Sequence, residues 1–324
     1  MKSDSSYIFA SAFLRAKEYG SASERLNSVI HAQTTDSLCE AAAKMWGQSY
    51  EGSPEKLFER AITTAVESIG SCVPDKRLFY PLLYKYDCTN IKTIIKANIL
   101  SISPESMLLN CGSISTDTLL EAFRRQRFHI VPQNMRNALA DVTALYKKTG
   151  DAELIDIVLD QAAFKDMKAD AEKSHSPLLM RIITAKSDSA NLMTYIRLRK
   201  MDRLSLLSRS FIPTGSIPLS AFTEGSSPGS PEKLLHFIRS TSLRNTAKQY
   251  FQGNSTLAEI EKASYEAVLS EVQSVKYIAY GHEVVIRHLL VREAEVINCR
   301  IAYAALNGVF TKEKAQERML LSYV

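Results

Sequence analysis

The sequence is poor in the residues that interrupt helices. Its 324 residues include only 12 glycines and 10 prolines. No apolar run approaches the roughly 20 residues that a membrane-spanning helix needs. The sequence also lacks the G-x-x-x-x-G-K-[ST] and G-x-G-x-x-G loops, which gives nucleotide binding through either motif no support. The small numbers of glycines and prolines leave room for long uninterrupted helices.

The sequence has little that could support catalysis or bind a metal ion. Its five cysteines are odd in number and form no C-x-x-C pair, which argues against a disulfide framework or a zinc site and favours a reducing cytosol. No two of the six histidines have the i, i+4 spacing of a helical metal pair, and no G-x-S-x-G motif occurs. We therefore expect no catalytic residue, no metal and no cofactor.

The charge balance is mildly basic. The chain has 40 lysines and arginines against 35 aspartates and glutamates, a net charge of +5. This charge suits an acidic protein partner or an anionic lipid surface, but it is too weak to imply nucleic acid. No segment sustains the alternation of a strand, so the predicted fold class is all-α.

A short motif occurs three times: an acidic residue, two further residues and an asparagine, opening an apolar and basic stretch. The asparagines, at positions 90, 191 and 298, are 101 and 107 residues apart. Recurrence at a domain-sized interval predicts a triplicated fold. Without a catalytic cluster, such a fold favours a symmetric mechanical or binding part over an enzyme. The pairs are Asp87 with Asn90, Asp188 with Asn191, and Glu295 with Asn298.

A glycine, a residue and an apolar residue follow each copy and precede a new helix. The three glycines are Gly112, Gly215 and Gly308. We interpret each as the left-handed residue that closes a helix. Two motifs that recur in the same order make triplication a stronger hypothesis than either motif would alone.

The acidic residues admit two interpretations. Asp87 and Asp188 fit helix N-caps, because a carboxylate accepts bonds from free backbone N–H groups. Glu295 fits poorly, since Glu is a weak N-cap and Val284–Leu306 looks like one continuous helix. There Asn298 is expected to be a buried polar group bonded to a neighbouring helix, and this alternative extends to the first two copies.

Other helix signals are distributed along the chain. Residues 7–33 are predicted to be helical, with one buried face formed by Ile8, Phe9, Ala12, Phe13 and Ala16. The short apolar run that opens this segment lacks a cleavage site, so we expect a helix start and not a signal peptide. Ser53 is predicted to cap a helix that begins at Pro54. The segment Thr223–Pro231, rich in Gly, Ser and Pro, is predicted to be a surface loop or an inter-domain connection.

Two basic clusters are candidate partner-binding sites. One consists of Arg124, Arg125 and Arg127 in a predicted helix; the other consists of Arg197, Arg199, Lys200 and Arg203. A solvated helix face is the simpler interpretation of both, and a docking surface for an acidic partner is the alternative. Phosphate recognition is disfavoured because neither cluster has interleaved aromatic residues or Gly-rich loops. The Arg197–Arg203 cluster is the candidate partner-facing surface.

These residues resemble the C subunit of the V/A-type ATPases, which is the d subunit of the vacuolar enzyme. The resemblance rests on the three acid-x-x-Asn segments, the turn Phe211–Gly215 and the segment Glu295–Ile301, and it covers nearly the whole chain. Two departures stand out. The third copy has Glu, and its step from asparagine to glycine is 10 residues, against 22 and 24 in the others.

The resemblance implies both an architecture and a role. It implies a funnel of three similar helical-bundle domains about a pseudo-threefold axis, on the cytoplasmic face of the membrane proteolipid ring. The cavity would receive the foot of the central stalk, and the protein would pass torque between the ATP-hydrolysing head and the ring. It would bind neither nucleotide nor metal.

The repeat predicts domain boundaries at its glycine turns. They divide the chain into a first domain at 1–110, a second at 111–214 and a third at 215–307. The first lacks an opening helix, and we expect the tail 308–324 to supply it and close the threefold ring. The alternatives are a generic helical adaptor, although no period of 20 to 50 residues is present, and a basic helical nucleic-acid binder. A small-molecule substrate is not expected.

Overall fold

The structure, a computed structural model, describes residues 4–17, 21–223 and 231–323 of the chain. These residues form helices and no strand, so the predicted all-α class is confirmed. The loop predicted at Thr223–Pro231 falls largely on residues 224–230, which lie outside the described residues.

The chain forms two compact units, of which the first combines both ends of the sequence. It contains the segment up to Lys76 and the segment from Ser240 onward. Its helices are α1 (Ile8–Ala16), α2 (Ala22–Ile30), α3 (Thr35–Trp46), α4 (Pro54–Cys72), α13 (Thr241–Phe251), α14 (Leu257–Ser270), α15 (His282–Leu306) and α16 (Lys312–Arg318).

The second unit is continuous in sequence and runs from Arg77 to Arg239. Its helices are α5 (Tyr80–Leu100), α6 (Thr116–Arg125), α7 (Gln133–Thr149), α8 (Glu153–Ser174), α9 (Pro177–Lys200), α10 (Leu207–Ser210), α11 (Leu219–Thr223) and α12 (Glu232–Phe237). The division into three domains remains a prediction.

Local capping explains where many of these helices begin. The Ser21, Thr34 and Thr256 side chains each accept a hydrogen bond from the backbone N–H of the residue three positions later. The side chain of that later residue in turn accepts a bond from the backbone N–H of the capping residue. Ser53 caps α4 immediately before Pro54, as predicted from the sequence.

Helix α15 is the central element of the first unit. It packs against α1, α2, α3, α4 and α16. Fifteen of its 25 residues are buried, so it has no single apolar stripe, as expected for a helix with neighbours on several sides. The prediction of one long helix over Val284–Leu306 is confirmed.

Helix α8 has the corresponding place in the second unit, between α5, α7 and α9. The buried carboxylate of Asp166 on α8 accepts hydrogen bonds from the backbone N–H groups of Asn134 (2.8 Å) and Met135 (2.9 Å). These donors lie in the first turn of α7, where Pro132 supplies no side-chain cap. A side chain from α8 therefore caps α7 and fixes the two helices together.

The prediction for the N-terminal segment was right about helix and wrong about the buried face. Within residues 7–33, the described residues form helices α1 and α2, and the buried face of α1 consists of Ala10, Ser11 and Leu14. The predicted face is largely exposed, with Ile8 at 51% and Phe9 at 68%. The error arose because α1 is apolar on both sides, so its pattern cannot show which side packs inward.

None of the helices in the described part of the chain is long and apolar enough to cross a membrane.

Candidate functional site

The three acid-x-x-Asn segments lie inside helices, on α5, α9 and α15. The interpretation of Asp87 and Asp188 as N-caps was therefore wrong: α5 begins at Tyr80, and α9 begins at Pro177 behind a cap from Ser176. Asp87 and all three asparagines are buried. The motif therefore places polar groups in the interior, where each needs a partner.

Each asparagine makes the same pair of hydrogen bonds. Its side-chain N–H donates to a backbone carbonyl, and its side-chain oxygen accepts the N–H of that same residue. All six donor–acceptor distances are 2.8 or 2.9 Å. The partners are Leu109 for Asn90, Ile212 for Asn191 and Leu320 for Asn298.

These paired bonds, called asparagine ties below, explain why the position holds asparagine. A primary amide presents a donor and an acceptor side by side, so it can pair with both polar groups of one backbone residue. The partner in each case lies in an irregular segment, which has no ladder of its own to satisfy those groups. The expectation of a buried polar bond was thus correct, but the partner is a loop and not a neighbouring helix.

The aspartates hold a second loop beside the first. Asp87 accepts bonds from the Ser113 N–H (3.2 Å), the Ser113 hydroxyl and the Ile114 N–H (3.1 Å). Asp188 accepts the equivalent bonds from Ser216 N–H (2.8 Å), Ser216 Oγ (2.6 Å) and Ile217 N–H (3.0 Å). The same set of donors binds the carboxylate in both copies.

Gly112 and Gly215 are required by this close approach. A Cβ added at Gly112 would overlap Oδ1 of Asp87, and a Cβ at Gly215 would overlap Oδ1 of Asp188. Neither glycine has a left-handed backbone, so that interpretation was wrong for both. They are small because the carboxylate takes the space of a side chain.

Burial changes the acidity of the first carboxyl. It raises the pKa of Asp87 to about 6, although bonds from Ser113 and Ile114 act in the opposite direction. Desolvation therefore outweighs the three hydrogen bonds at this position.

The third copy uses its longer acid differently. Glu295 is buried and accepts bonds from Arg25 Nε (2.7 Å) on α2 and Trp46 Nε1 (3.2 Å) on α3. Arg292 Nε lies 3.4 Å from its second oxygen. The longer side chain thus carries the carboxylate to α2 and α3 and not to a glycine turn. Glu295 thereby joins two N-terminal helices to α15.

Gly308 was wrongly paired with Gly112 and Gly215. It lies at the end of α15 with φ of 76°, and nothing surrounds its missing Cβ. Its N–H bonds to the carbonyl three residues earlier, and the next N–H bonds to the carbonyl five residues earlier, as at Ser101 and Asp202. Gly308 therefore closes its helix in left-handed geometry, the role first assigned to all three glycines.

The three motif helices end at exposed apolar side chains. Leu100 is 66% exposed at the end of α5, Met201 is 59% exposed after α9, and Val309 is 70% exposed after α15. Large apolar residues that stay in water on equivalent helices are candidate contact points.

The basic cluster Arg197–Arg203 surrounds one of these ends. Arg197 and Lys200 are exposed, Arg199 is half-buried, and Arg203 lies beyond the end of α9 with its guanidinium 3.1 Å from Glu153. In the other cluster, Arg124 and Arg125 pair with Glu121 on α6, and Arg127 lies outside the helix in which it was predicted.

The partners of the buried polar groups were not predicted from the sequence. Leu109, Ile212 and Leu320 follow their asparagines by 19, 21 and 22 residues, and a search for an apolar residue near this similar spacing could have found them. Arg25 and Trp46 carry no such signal, because 270 and 249 residues separate them from Glu295. No group of His, Cys, Asp and Glu among the described residues could hold a metal ion.

A family model described as ATP synthase (C/AC39) subunit matches residues 11–318. The chain is also similar to the C subunit of the V-type sodium ATPase of Enterococcus hirae. The two are 21% identical over 311 residues, which cover 93% of each chain.

Proposed function

Because this chain belongs to the ATP synthase (C/AC39) subunit family, we propose that it is a non-catalytic coupling subunit in the central rotor of a V/A-type ATPase. The family resemblance drawn from the sequence is confirmed. In the proposed role, the protein links the central stalk to the membrane proteolipid ring and transmits torque during ion transport.

The proposal includes a location and an architecture. The protein is peripheral, on the cytoplasmic face of the membrane, and its three helical domains form a funnel about a pseudo-threefold axis. Its partners are stalk and ring subunits, and it binds neither nucleic acid nor a small-molecule substrate. The similarity to a subunit of a V-type sodium ATPase supports this assignment.

The observation that carries the proposal is the repeated asparagine tie. A part that transmits torque must resist bending, and each of the long helices α5, α9 and α15 is fixed to a following segment by two short bonds to a buried amide. Three copies of one stiffening device suit a mechanical part better than a catalytic one.

The ends of these helices are the proposed contact points. Leu100, Met201 and Val309 can bury apolar area on a partner, and the Arg197–Arg203 cluster can pair with acidic groups beside Met201. Such charges at the rim of an interface mainly affect the rate of association and its dependence on salt.

The test is to purify the tagged chain from native membranes. We expect stalk and proteolipid subunits to co-purify in fixed proportion. In membranes depleted of the chain, ATP hydrolysis by the head should persist while ion transport is lost. Adding back the full chain should restore transport.

A matched pair of variants tests the contact surface. Arg197→Glu with Lys200→Glu should weaken reassociation with depleted membranes, whereas Arg124→Glu with Arg125→Glu should not. Purification without stalk and ring subunits, or transport that stays coupled in depleted membranes, would overturn the proposal and favour a generic helical adaptor.

A further inference from the structure

The three acids of the repeated motif differ in what compensates their charge. The Glu295 carboxylate accepts a bond from Arg25 Nε at 2.7 Å, and Arg292 Nε lies 3.4 Å away. Asp188 is half-buried and therefore keeps part of its hydration. Asp87 is 0% exposed, and no cationic side chain in the described part of the chain lies within ion-pair distance of it. Of these three acids, Asp87 alone has neither a counter-charge nor exposure to solvent.

The hydrogen bonds described above for Asp87 come from neutral donors of one loop, residues 112–114. Ser113 donates through its N–H and its hydroxyl, and Ile114 donates through its N–H. Asp188 receives the same three kinds of bond in the second copy, so the two sites differ in burial and not in donors. Neutral donors return only part of the hydration that an ionised carboxylate loses on burial. Burial therefore favours the protonated form of Asp87 more than that of Asp188.

The acids around Asp87 act in the same direction. Tyr84 lies one turn earlier on α5, and its pKa is raised by burial, by its hydrogen bond to Asp170 and by the charges of Asp166 and Asp87. Asp166 and Asp170 belong to α8, the main neighbour of α5. Negative charges at this distance oppose ionisation of Asp87 and do not compensate it.

The cations on the neighbouring elements have other partners. On α5, Lys92 Nζ lies 2.6 Å from Asp160, and Lys85 lies over the ring of Tyr86. On α6, two arginines pair with one acid: Arg124 and Arg125 with Glu121. Two buried thiols also border the site, Cys88 and Cys111. The charge of Asp87 is therefore left to its three neutral donors.

We propose that Asp87 is a proton-binding site that controls how loop 112–114 is held on α5. When ionised, the carboxylate accepts all three bonds. When protonated, Asp87 donates its O–H to Ser113 Oγ, and its other oxygen accepts the Ile114 N–H. The Ser113 N–H then faces a hydroxyl oxygen, which is a poorer acceptor, so the loop that leads into α6 is held less tightly. The site does not depend on the proposed coupling role.

The proton exchanges in a range that cells can reach. Burial raises the pKa of Asp87 to about 6, against about 4 for an aspartate in the unfolded chain. Because the folded-state pKa is the higher one, the contribution of the proton to stability is complete below about pH 4 and is lost as the pH rises through about 6. The hold on loop 112–114 changes in the opposite direction and strengthens as the pH rises.

The experiment follows backbone amide signals of the full chain, isotopically labelled at serine and isoleucine, by nuclear magnetic resonance. The Ser113 and Ile114 signals should shift with an apparent midpoint at a pH of about 6. Ser216 and Ile217 are the internal controls, because they bind the half-buried Asp188 and should not follow this transition. Hydrogen exchange at the Ser113 amide, corrected for its intrinsic dependence on pH, should be about tenfold faster below the midpoint, as expected for one lost hydrogen bond.

Two variants assign the transition to one carboxyl. Asp87→Asn cannot ionise, so it should abolish the transition and give the low-pH signals of Ser113 at neutral pH as well. Asp188→Asn, the matched control, should leave the Ser113 transition unchanged. The absence of a transition in the unmodified chain between about pH 5 and 7, or its persistence in Asp87→Asn, would overturn the proposal. The first of these outcomes needs no variant to fold.

Discussion

Replacing Asn90 with alanine tests the asparagine tie most directly. Asn90 is fully buried, and its amide satisfies both the N–H and the C=O of Leu109 at 2.8 Å. The Asn90→Ala substitution leaves both the N–H and the C=O of Leu109 without their hydrogen-bond partner. An unsatisfied buried polar group costs about 1–3 kcal/mol, so the expected loss in the free energy of unfolding is about 2–6 kcal/mol.

Asn98→Ala is the matched control, because Asn98 lies exposed on the same helix, α5. It should change stability by no more than about 0.5 kcal/mol, and alanine's helix propensity favours a slight gain. Comparison of the two variants cancels the contribution of helix propensity and leaves the tie.

Two assays report the difference. Urea unfolding of the full chain gives the change in midpoint, and an unchanged slope would indicate that the same surface is exposed in both variants. Hydrogen exchange at the Leu109 amide gives the local value, and acceleration by about 30-fold or more corresponds to a loss of about 2 kcal/mol.

A third variant tests the chemistry of the tie. Asn90→Asp keeps the shape but, when ionised, cannot donate to the Leu109 carbonyl. Its folded-state pKa should be raised, so stability should recover as the pH falls through that pKa and the protonated acid regains a donor. Equal stability of Asn90→Ala and Asn98→Ala would refute the assignment of the tie.

Three further outcomes follow from the other contacts. Gly215→Ala should cost about 1–3 kcal/mol, because its Cβ would overlap the Asp188 carboxylate, whereas Gly70→Ala, with open space around it, should be neutral or stabilising in thermal unfolding. Truncation after Arg318 removes buried Met319, Leu320 and Tyr323, and should speed hydrogen exchange in the first unit but not the second. The pKa of Asp87, raised to about 6 in the folded state, means that its contribution to stability falls as pH rises from about 4 to 6, and Asp87→Asn should remove that slope from urea midpoints.

The sequence was sufficient for features that depend on local pattern. Scarce glycine and proline predicted an all-helical fold, and Ser53 before Pro54 predicted the start of α4. The recurring asparagines identified the three helices that carry the ties. Each of these signals is contained in a short stretch of chain, so no knowledge of tertiary contacts was needed.

Features set by distant partners were not accessible. Nothing near Glu295 indicates that Arg25 and Trp46 would bind it, and nothing near Gly112 indicates that Asp87 would take the space of its side chain. The outer face of α1 was assigned to the core because hydrophobicity alone does not identify a packing partner.

The first unit is built from both ends of the chain, and this has a consequence for its folding during synthesis. Helices α1–α4 leave the ribosome early, but α15, against which they pack, is made only after the entire second unit. At roughly 5–20 residues per second, that delay is on the order of tens of seconds. The nascent N-terminal helices must therefore wait with their apolar surface uncovered. During this period the first unit has a greater need of a chaperone than the second unit, which is continuous in sequence.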